Sequence, residues 1–336
     1  ILDAFEKEID NKLDEIEKAL IVEKNSSIFE YNYSSLKFNS NPNKLEYKED
    51  ICSTAHKTNS IDRVFCAFKA FTGETLVVWG TPQFSIECYD LEKQKITKTI
   101  TGAHIQTIFS CRHYIERKNK KDYIITSSYD RKIKVWDIKT WSNVVNIHNA
   151  HSGSYIYSVC ILNEENENAN YIISSAPNEY MKVWNFEGIY LRNFGISDES
   201  VYFIDVYHDI NKNEYYIINC NSVDVKSYVF KTGKLYQQYK GIPQTWHMSA
   251  AIIDSKEKPI LVESDGNGNI RMWEFNTANL IKNIFSSGSN VNLRGICLWN
   301  DDYLFATGSD YKIKLFNLKE GKLEKSLKSH TGTVCT

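Results

Sequence analysis

Six aromatic-centred tripeptides recur along this chain at steps of 47, 48, 44, 45 and 43 residues. They are Cys88-Tyr89-Asp90, Val135-Trp136-Asp137, Val183-Trp184-Asn185, Ser227-Tyr228-Val229, Met272-Trp273-Glu274 and Leu315-Phe316-Asn317. A fixed period of this length marks an array of equivalent small units, each unable to bury a core alone. Stacked neighbours supply the missing burial. A hydrophobic content of 42% and an aromatic content of 13% suit a core spread over many units.

Each unit follows one grammar. An apolar first strand and a polar turn precede a second apolar run, such as Tyr123 to Ser127, Tyr171 to Ser175 or Tyr216 to Asn219. A short turn leads to a third strand carrying the aromatic tripeptide. A more polar fourth strand follows, as in Lys95 to Ile100, Tyr190 to Phe194 and Leu235 to Tyr239. Short β-rich runs at regular spacing predict an all-β array. Four antiparallel strands per unit, repeated around a ring, make a β-propeller.

The pattern resembles the WD40 repeat family. That family places a Gly-His-like pair before the first strand and a Trp-Asp-like pair at the end of the third. Here the first marker reads Ala55-His56, Ala103-His104, Ala150-His151, Trp246-His247 and Ser329-His330. The resemblance implies a hydrogen-bonded set in blade 2 of His104, Thr126 or Ser128, Asp130 and Trp136. In blade 3 it implies His151, Ser174, Asn178 and Trp184, with Asn replacing Asp. Buried carboxylates and indole N–H groups need such partners. Blade 4 lacks both markers, and blade 6 keeps Asp310 but has Phe316.

The expected fold is a seven-bladed WD40-type β-propeller over residues 44–336, preceded by a short N-terminal α-helix. His330 opens a last blade that is split and incomplete, with Leu45 to Ile51 as its outer strand. Pairing the two ends removes free sheet edges. Residues 1–24 repeat Leu2, Ile9, Ile16 and Glu6, Leu13, Leu20 at heptad positions, predicting an amphipathic helix. It is either a coiled-coil end, able to self-associate or join an upstream domain, or a helix packed on its own domain. Residues 25–43 read as a linker. The start without Met and the stop mid-repeat suggest a piece of a longer protein.

A net charge of −2 gives no electrostatic case for nucleic acid or an anionic membrane. No apolar run is long enough for a membrane-spanning helix. The eight cysteines lack Cys-x-x-Cys spacing and read as buried reduced thiols. The expected location is therefore cytoplasmic, with cytoskeletal or ciliary association open. Asp265-Gly266-Asn267-Gly268-Asn269 resembles the start of a calcium loop, but Ile270 and Asn276 stand where Gly and Glu are needed. It reads as a structural turn. No phosphate-binding loop, zinc-protease motif or nucleophile elbow occurs. The expectation is a chain that is not an enzyme and has no cofactor, metal or small-molecule substrate. His113, His148 and His208, outside the repeat markers, are expected at the surface.

In a propeller the first strands line the channel. Aligning them on Ile61, Ile105, Ile156, Val201, Met248, Leu293 and Val334 puts Asp62, Gln106, Tyr157, Tyr202, Ser249, Arg294 and Cys335 at one mouth. Arg63 and Trp246 are neighbours. Tyr, Trp and Arg dominate interface energetics. The candidate partner-binding residues are therefore Asp62, Arg63, Tyr157, Tyr202, Trp246 and Arg294. The expected function is an interaction scaffold or adaptor that holds a protein or peptide partner. A substrate-recruiting region of a ubiquitin ligase is an alternative, with a nucleic-acid or lipid-binding propeller behind it.

Overall fold

A computed structural model describes residues 65–116, 119–164, 169–195, 199–240, 245–254, 258–286 and 291–328. All regular elements among them are β-strands, grouped in six four-stranded sheets. Blade 1 holds β1 (Phe65–Lys69), β2 (Thr75–Gly80), β3 (Ile86–Asp90) and β4 (Lys95–Ile100). Blade 2 holds β5 (Ile108–Glu116), β6 (Lys121–Ser128), β7 (Ile133–Asp137) and β8 (Ser142–Ile147). Blade 3 holds β9 (Ser158–Glu164), β10 (Ala169–Ser175), β11 (Met181–Asn185) and β12 (Tyr190–Phe194). Blade 4 holds β13 (Val201–Asp209), β14 (Glu214–Asn221), β15 (Val225–Val229) and β16 (Leu235–Tyr239). Blade 5 holds β17 (His247–Ile253), β18 (Ile260–Asp265), β19 (Asn269–Glu274) and β20 (Leu280–Ser286). Blade 6 holds β21 (Leu293–Asn300), β22 (Tyr303–Gly308), β23 (Lys312–Asn317) and β24 (Lys322–Lys328).

Strands pair antiparallel in chain order within each sheet, and first strands of successive blades pack side by side from β1 to β21. The expected helix, linker and split seventh blade lie outside the described residues, as do Asp62, Arg63, His56 and His330.

The 45-residue rhythm has a packing cause. Each third-strand aromatic after the first packs into the interface with the preceding blade. Trp136 joins Cys66, Val78 and Cys88 of blade 1, and Trp184 joins Ile125 and Val135 of blade 2. Tyr228 packs with Met181 and Val183, Trp273 with Cys220 and Tyr239, and Phe316 with Ile270 and Met272. Removing such a buried aromatic typically costs about 3–5 kcal/mol.

A second regularity shapes the mouth. The inner strands of blades 2, 4, 5 and 6 begin with a register shift, which leaves Phe109, Tyr202, Met248 and Arg294 as extra residues. Tyr157 takes the matching place in blade 3, where its N–H donates to Ser175 O at 3.0 Å. Such bulges re-aim a side chain. The alignment on Ile105 and Met248 is therefore corrected to Ile108 and His247. Phe109 replaces Gln106 in the ring, and Met248 replaces Ser249. Ile105 misled because it is apolar yet 70% exposed, lying before the strand.

Candidate protein-interaction mouth

In blade 2 the Trp136 indole N–H donates to Thr126 Oγ1 at 3.0 Å. Thr126 Oγ1 lies 2.9 Å from His104 Nε2, and His104 Nδ1 lies 2.9 Å from Asp130 Oδ2. The indole uses Thr126 as acceptor, so the hydroxyl proton points to Nε2 and the imidazole proton to Asp130. Burial pushes the His104 pKa down against the pull of Asp130, consistent with this neutral form. Thr126, not Ser128, is the central hydroxyl. Ser128 Oγ donates to Gln106 O and accepts from Asp130 N, bracing the turn.

Blade 3 repeats the set with one correction. Trp184 donates to Ser174 Oγ at 3.0 Å, and His151 Nε2 sits 2.9 Å from the same oxygen. The acid on His151 Nδ1 is Glu179, at 3.1 Å, and not Asn178. Asn178 occupies the left-handed region at φ 53°, a turn position that Asn tolerates, and accepts from Ser200 Oγ. Burial, reinforced by the Lys182 charge, lowers the His151 pKa to about 4.

Blade 5 departs further. His247 opens β17 opposite Asp265, so it stands at the register position of Ile108 and is not a counterpart of His104. Glu263 holds the position of Thr126. It contacts His247 Nδ1 at 3.0 Å and accepts from Arg271 at 2.7 Å. Arg271 also donates to Asp265 Oδ2 at 2.6 Å, and Asp265 Oδ1 accepts from the N–H groups of Asn267 and Asn269. The calcium-loop-like sequence is thus a turn whose carboxylate binds backbone and guanidinium.

A further regularity runs through the third strands. Lys134, Lys182, Lys226, Arg271 and Lys314 each stand two residues before the aromatic. Lys134 and Lys182 donate to Ala103 O and Ala150 O. Lys182 also pairs with Glu179, Lys226 with Glu199, and Lys314 with Asp310.

These sets brace one end of blades 2 to 6. There the turn between the second and third strands bonds the segment entering the first strand. Tyr129 N donates to Thr107 O, Gly266 N to Trp246 O and Ser309 N to Asn292 O. A Cβ on Gly308 would collide with the backbone oxygen of Asn292, so that position requires glycine.

Aromatic rings from four blades meet at this end. Tyr129 stacks on Tyr155 with centroids 4.7 Å apart, and Phe109 contacts Tyr129, Tyr155 and Tyr157. Tyr155 and Tyr157 meet edge to face at 4.9 Å and share a hydrogen bond between hydroxyls at 3.2 Å. Tyr157 contacts Tyr202 at 5.2 Å, and Tyr202 contacts Trp246 at 6.3 Å. Tyr129 and Trp246 are 45% and 51% exposed. Burial holds the phenol pKa of Tyr157 and Tyr202 above the ordinary value, so both remain protonated donors. Three candidate residues thus lie in one belt, while Phe109, Tyr129 and Tyr155 were missed. Arg294 has the bulge position in blade 6, and no ring contact joins it to the belt among the described residues.

Other expectations need correction. His113 is buried, stacked on Phe68 at 3.7 Å and bonded to Asp122 at 2.8 Å. His208 is half-buried and stacked on Tyr215. Cys66, Cys88, Cys111, Cys160 and Cys220 are buried thiols, whereas Cys297 is exposed. An open pocket of about 540 Å³ lies beside blade 3, lined by Asn149, Glu179, Tyr180, Lys182 and Tyr190 among others. Its charged pair, Glu179 and Lys182, is self-neutralised at 3.3 Å.

The fold and its braced blades define a class, the WD40-repeat β-propellers. The WD domain, G-beta repeat family model matches residues 96–137, the stretch from β4 through β7. It is 25% identical over 134 residues to a DDB1- and CUL4-associated factor 11 homolog of Caenorhabditis briggsae, covering 39% of this chain and 23% of that protein. The Caenorhabditis elegans homolog of the same name is 26% identical over 126 residues, 36% of this chain and 20% of that protein. The matched stretch spans under a quarter of either relative's length.

Proposed function

We propose that this propeller is an interaction module acting by binding and not by catalysis, with its aromatic mouth holding a protein or peptide partner. The observation that carries the reading is the continuous belt from Tyr129 to Trp246, part-exposed and spread over four blades. Rigid aromatic side chains supply large contact area at low entropic cost and are typical interface anchors. The carboxylates described at this end are tied to imidazole, lysine or arginine, which suits a preformed binding surface. The seven-bladed closure, the N-terminal helix as a joint to an upstream region, and a cytoplasmic location belong to the same proposal.

The test is affinity capture by the full chain, read by quantitative mass spectrometry. A Tyr157→Ala/Trp246→Ala variant should lose a defined set of partners, and Val144→Ala, on exposed β8, should keep them. Equal capture by all three proteins would sink the reading. A second reading, a substrate-recruiting region of a ubiquitin ligase, is favoured by the names of the two nematode relatives. It requires co-capture of DDB1 or CUL4 proteins together with a mouth-dependent partner.

A further inference from the structure

The two ends of the aromatic belt differ in charge, and that difference selects a partner, given the reading of the belt as a docking face. At the blade 2 end, Tyr129 stands in the turn Ser128-Tyr129-Asp130-Arg131-Lys132 between β6 and β7. The backbone fixes this turn: Tyr129 N donates to Thr107 O, Arg131 N to Ser128 O and Ala150 N to Arg131 O. Asp130 accepts from Ile105 N and pairs with His104, so its charge is spent inward. Arg131 is exposed, Lys132 is half-buried, and neither side chain forms an ion pair among the described residues. Ile105, bonded to the same turn, is 70% exposed. At the other end the chain reads Thr245-Trp246-His247, and the adjoining turn of blade 5 is Gly266-Asn267-Gly268. Glu263 and Asp265 there are buried and both bound by Arg271.

The surface is therefore polarised, with apolar rings along its length and accessible cations at the blade 2 end. We infer that the mouth takes a segment of another protein in one direction, with apolar or aromatic residues on the belt from Tyr129 to Trp246 and an Asp or Glu carboxylate on Arg131 and Lys132. A guanidinium offers a carboxylate two parallel donors. Complementary charge at one end sets direction and register more than raw affinity. One residue separates Tyr129 from Arg131, and an extended segment rises about 3.3 Å per residue. The acid then falls about two or three residues from the side chain that rests on Tyr129. Nucleic acid also joins rings to cations, but a bound strand needs a positive groove along its whole backbone. The chain has a net charge of −2, and the blade 5 end of the belt presents no such groove.

The experiment pans a phage-displayed random dodecapeptide library on the full chain. Enriched sequences are then synthesised with an amide twin in which each Asp or Glu becomes Asn or Gln. Fluorescence anisotropy at low and high salt compares the native chain with Arg131→Gln/Lys132→Gln and Tyr157→Ala. A further variant, Lys95→Gln/Lys98→Gln, removes the same charge from exposed β4. Thermal melts are the folding control, and Arg131→Gln alone replaces the double variant if that does not fold. A labelled single-stranded RNA is titrated alongside. The native chain should bind the acid form about three- to tenfold more tightly than its twin at low salt, and salt should narrow the gap. Arg131→Gln/Lys132→Gln should bind both forms alike, the β4 variant should keep the preference, and Tyr157→Ala should weaken both. Tyr157-dependent peptides without an acid, or a preference that survives Arg131→Gln/Lys132→Gln or is lost equally in the β4 variant, overturn the inference and leave the docking face standing. Tyr157-dependent RNA binding tighter than that of any peptide overturns a protein segment as the occupant. Enrichment that ignores Tyr157→Ala, or no enrichment beyond that on heat-unfolded chain, overturns the docking face and the inference together.

Discussion

Tyr157 and Tyr202 belong to different blades, yet their rings pack with centroids 5.2 Å apart. Each enters its inner strand at the same point, where the register slips by one residue in blade 4 and the chain joins the sheet in blade 3. The irregularity turns side chains that would face neighbouring blades towards the mouth. Aromatic pairs of this kind add about 0.5–1.5 kcal/mol beyond area burial. The belt is therefore a packed run of aromatic rings that crosses blade boundaries.

Thr126 is the hub of blade 2. Thr126→Val keeps the shape but leaves the Trp136 N–H and His104 Nε2 buried without a partner. The expected loss is about 2–6 kcal/mol, since each of the two unsatisfied buried groups costs about 1–3 kcal/mol. Thr126→Ser should recover most of it. Urea unfolding followed by tryptophan fluorescence measures both.

In blade 3 the acid is Glu179, and its neighbour is a turn residue. Glu179→Ala should destabilise by about 1–3 kcal/mol, through the lost contacts to His151 and Lys182. Asn178→Gly should be nearly neutral, because glycine accepts φ 53° without strain. Equal losses at the two positions, measured by chemical denaturation, would return the role to Asn178.

Stability should fall on mild acidification. His104 and His151 have native pKa values below the ordinary 6.5, His151 at about 4, so the unfolded chain binds more protons in that window. Their contribution is complete above pH 6.5 and is lost as pH falls towards 4. Each histidine adds a slope of up to about 1.4 kcal/mol per pH unit. Denaturation curves from pH 7 to 4.5 should flatten in the His104→Gln/His151→Gln variant. An unchanged slope contradicts the neutral buried imidazoles.

Arg271 neutralises two buried carboxylates. Arg271→Met strands Glu263 and Asp265 and should cost about 3–5 kcal/mol. Adding Glu263→Gln and Asp265→Asn should restore part of the loss. Calorimetric melts of the single and triple variants decide this.

Much of the architecture was legible because it follows side-chain pattern. The outer strands Lys95–Ile100, Tyr190–Phe194 and Leu235–Tyr239 lie where alternation and turns placed them. The bulges were not legible, since Phe109, Tyr157, Tyr202, Met248 and Arg294 share no chemistry that pattern could detect. His247 looked like a repeat marker because Trp246 precedes it, yet only pairing with Asp265 reveals its register. Glu179 was missed because the acid is displaced by one residue from the expected turn position. The recurring Lys or Arg two residues before each later aromatic was visible and needed only a reason, which the buried acids and carbonyls provide.

The central claim is that the mouth, and no other face, meets the partner. The most direct measurement places the photo-crosslinker p-benzoylphenylalanine at Tyr157, Tyr202 or Trp246 of the full chain in cells, with Val144 and Leu323 on outer strands as comparison sites. The account predicts one shared set of protein adducts from the three mouth positions and none of that set from the outer strands. Adducts of the same set from Val144 or Leu323, with none from the mouth, would contradict it.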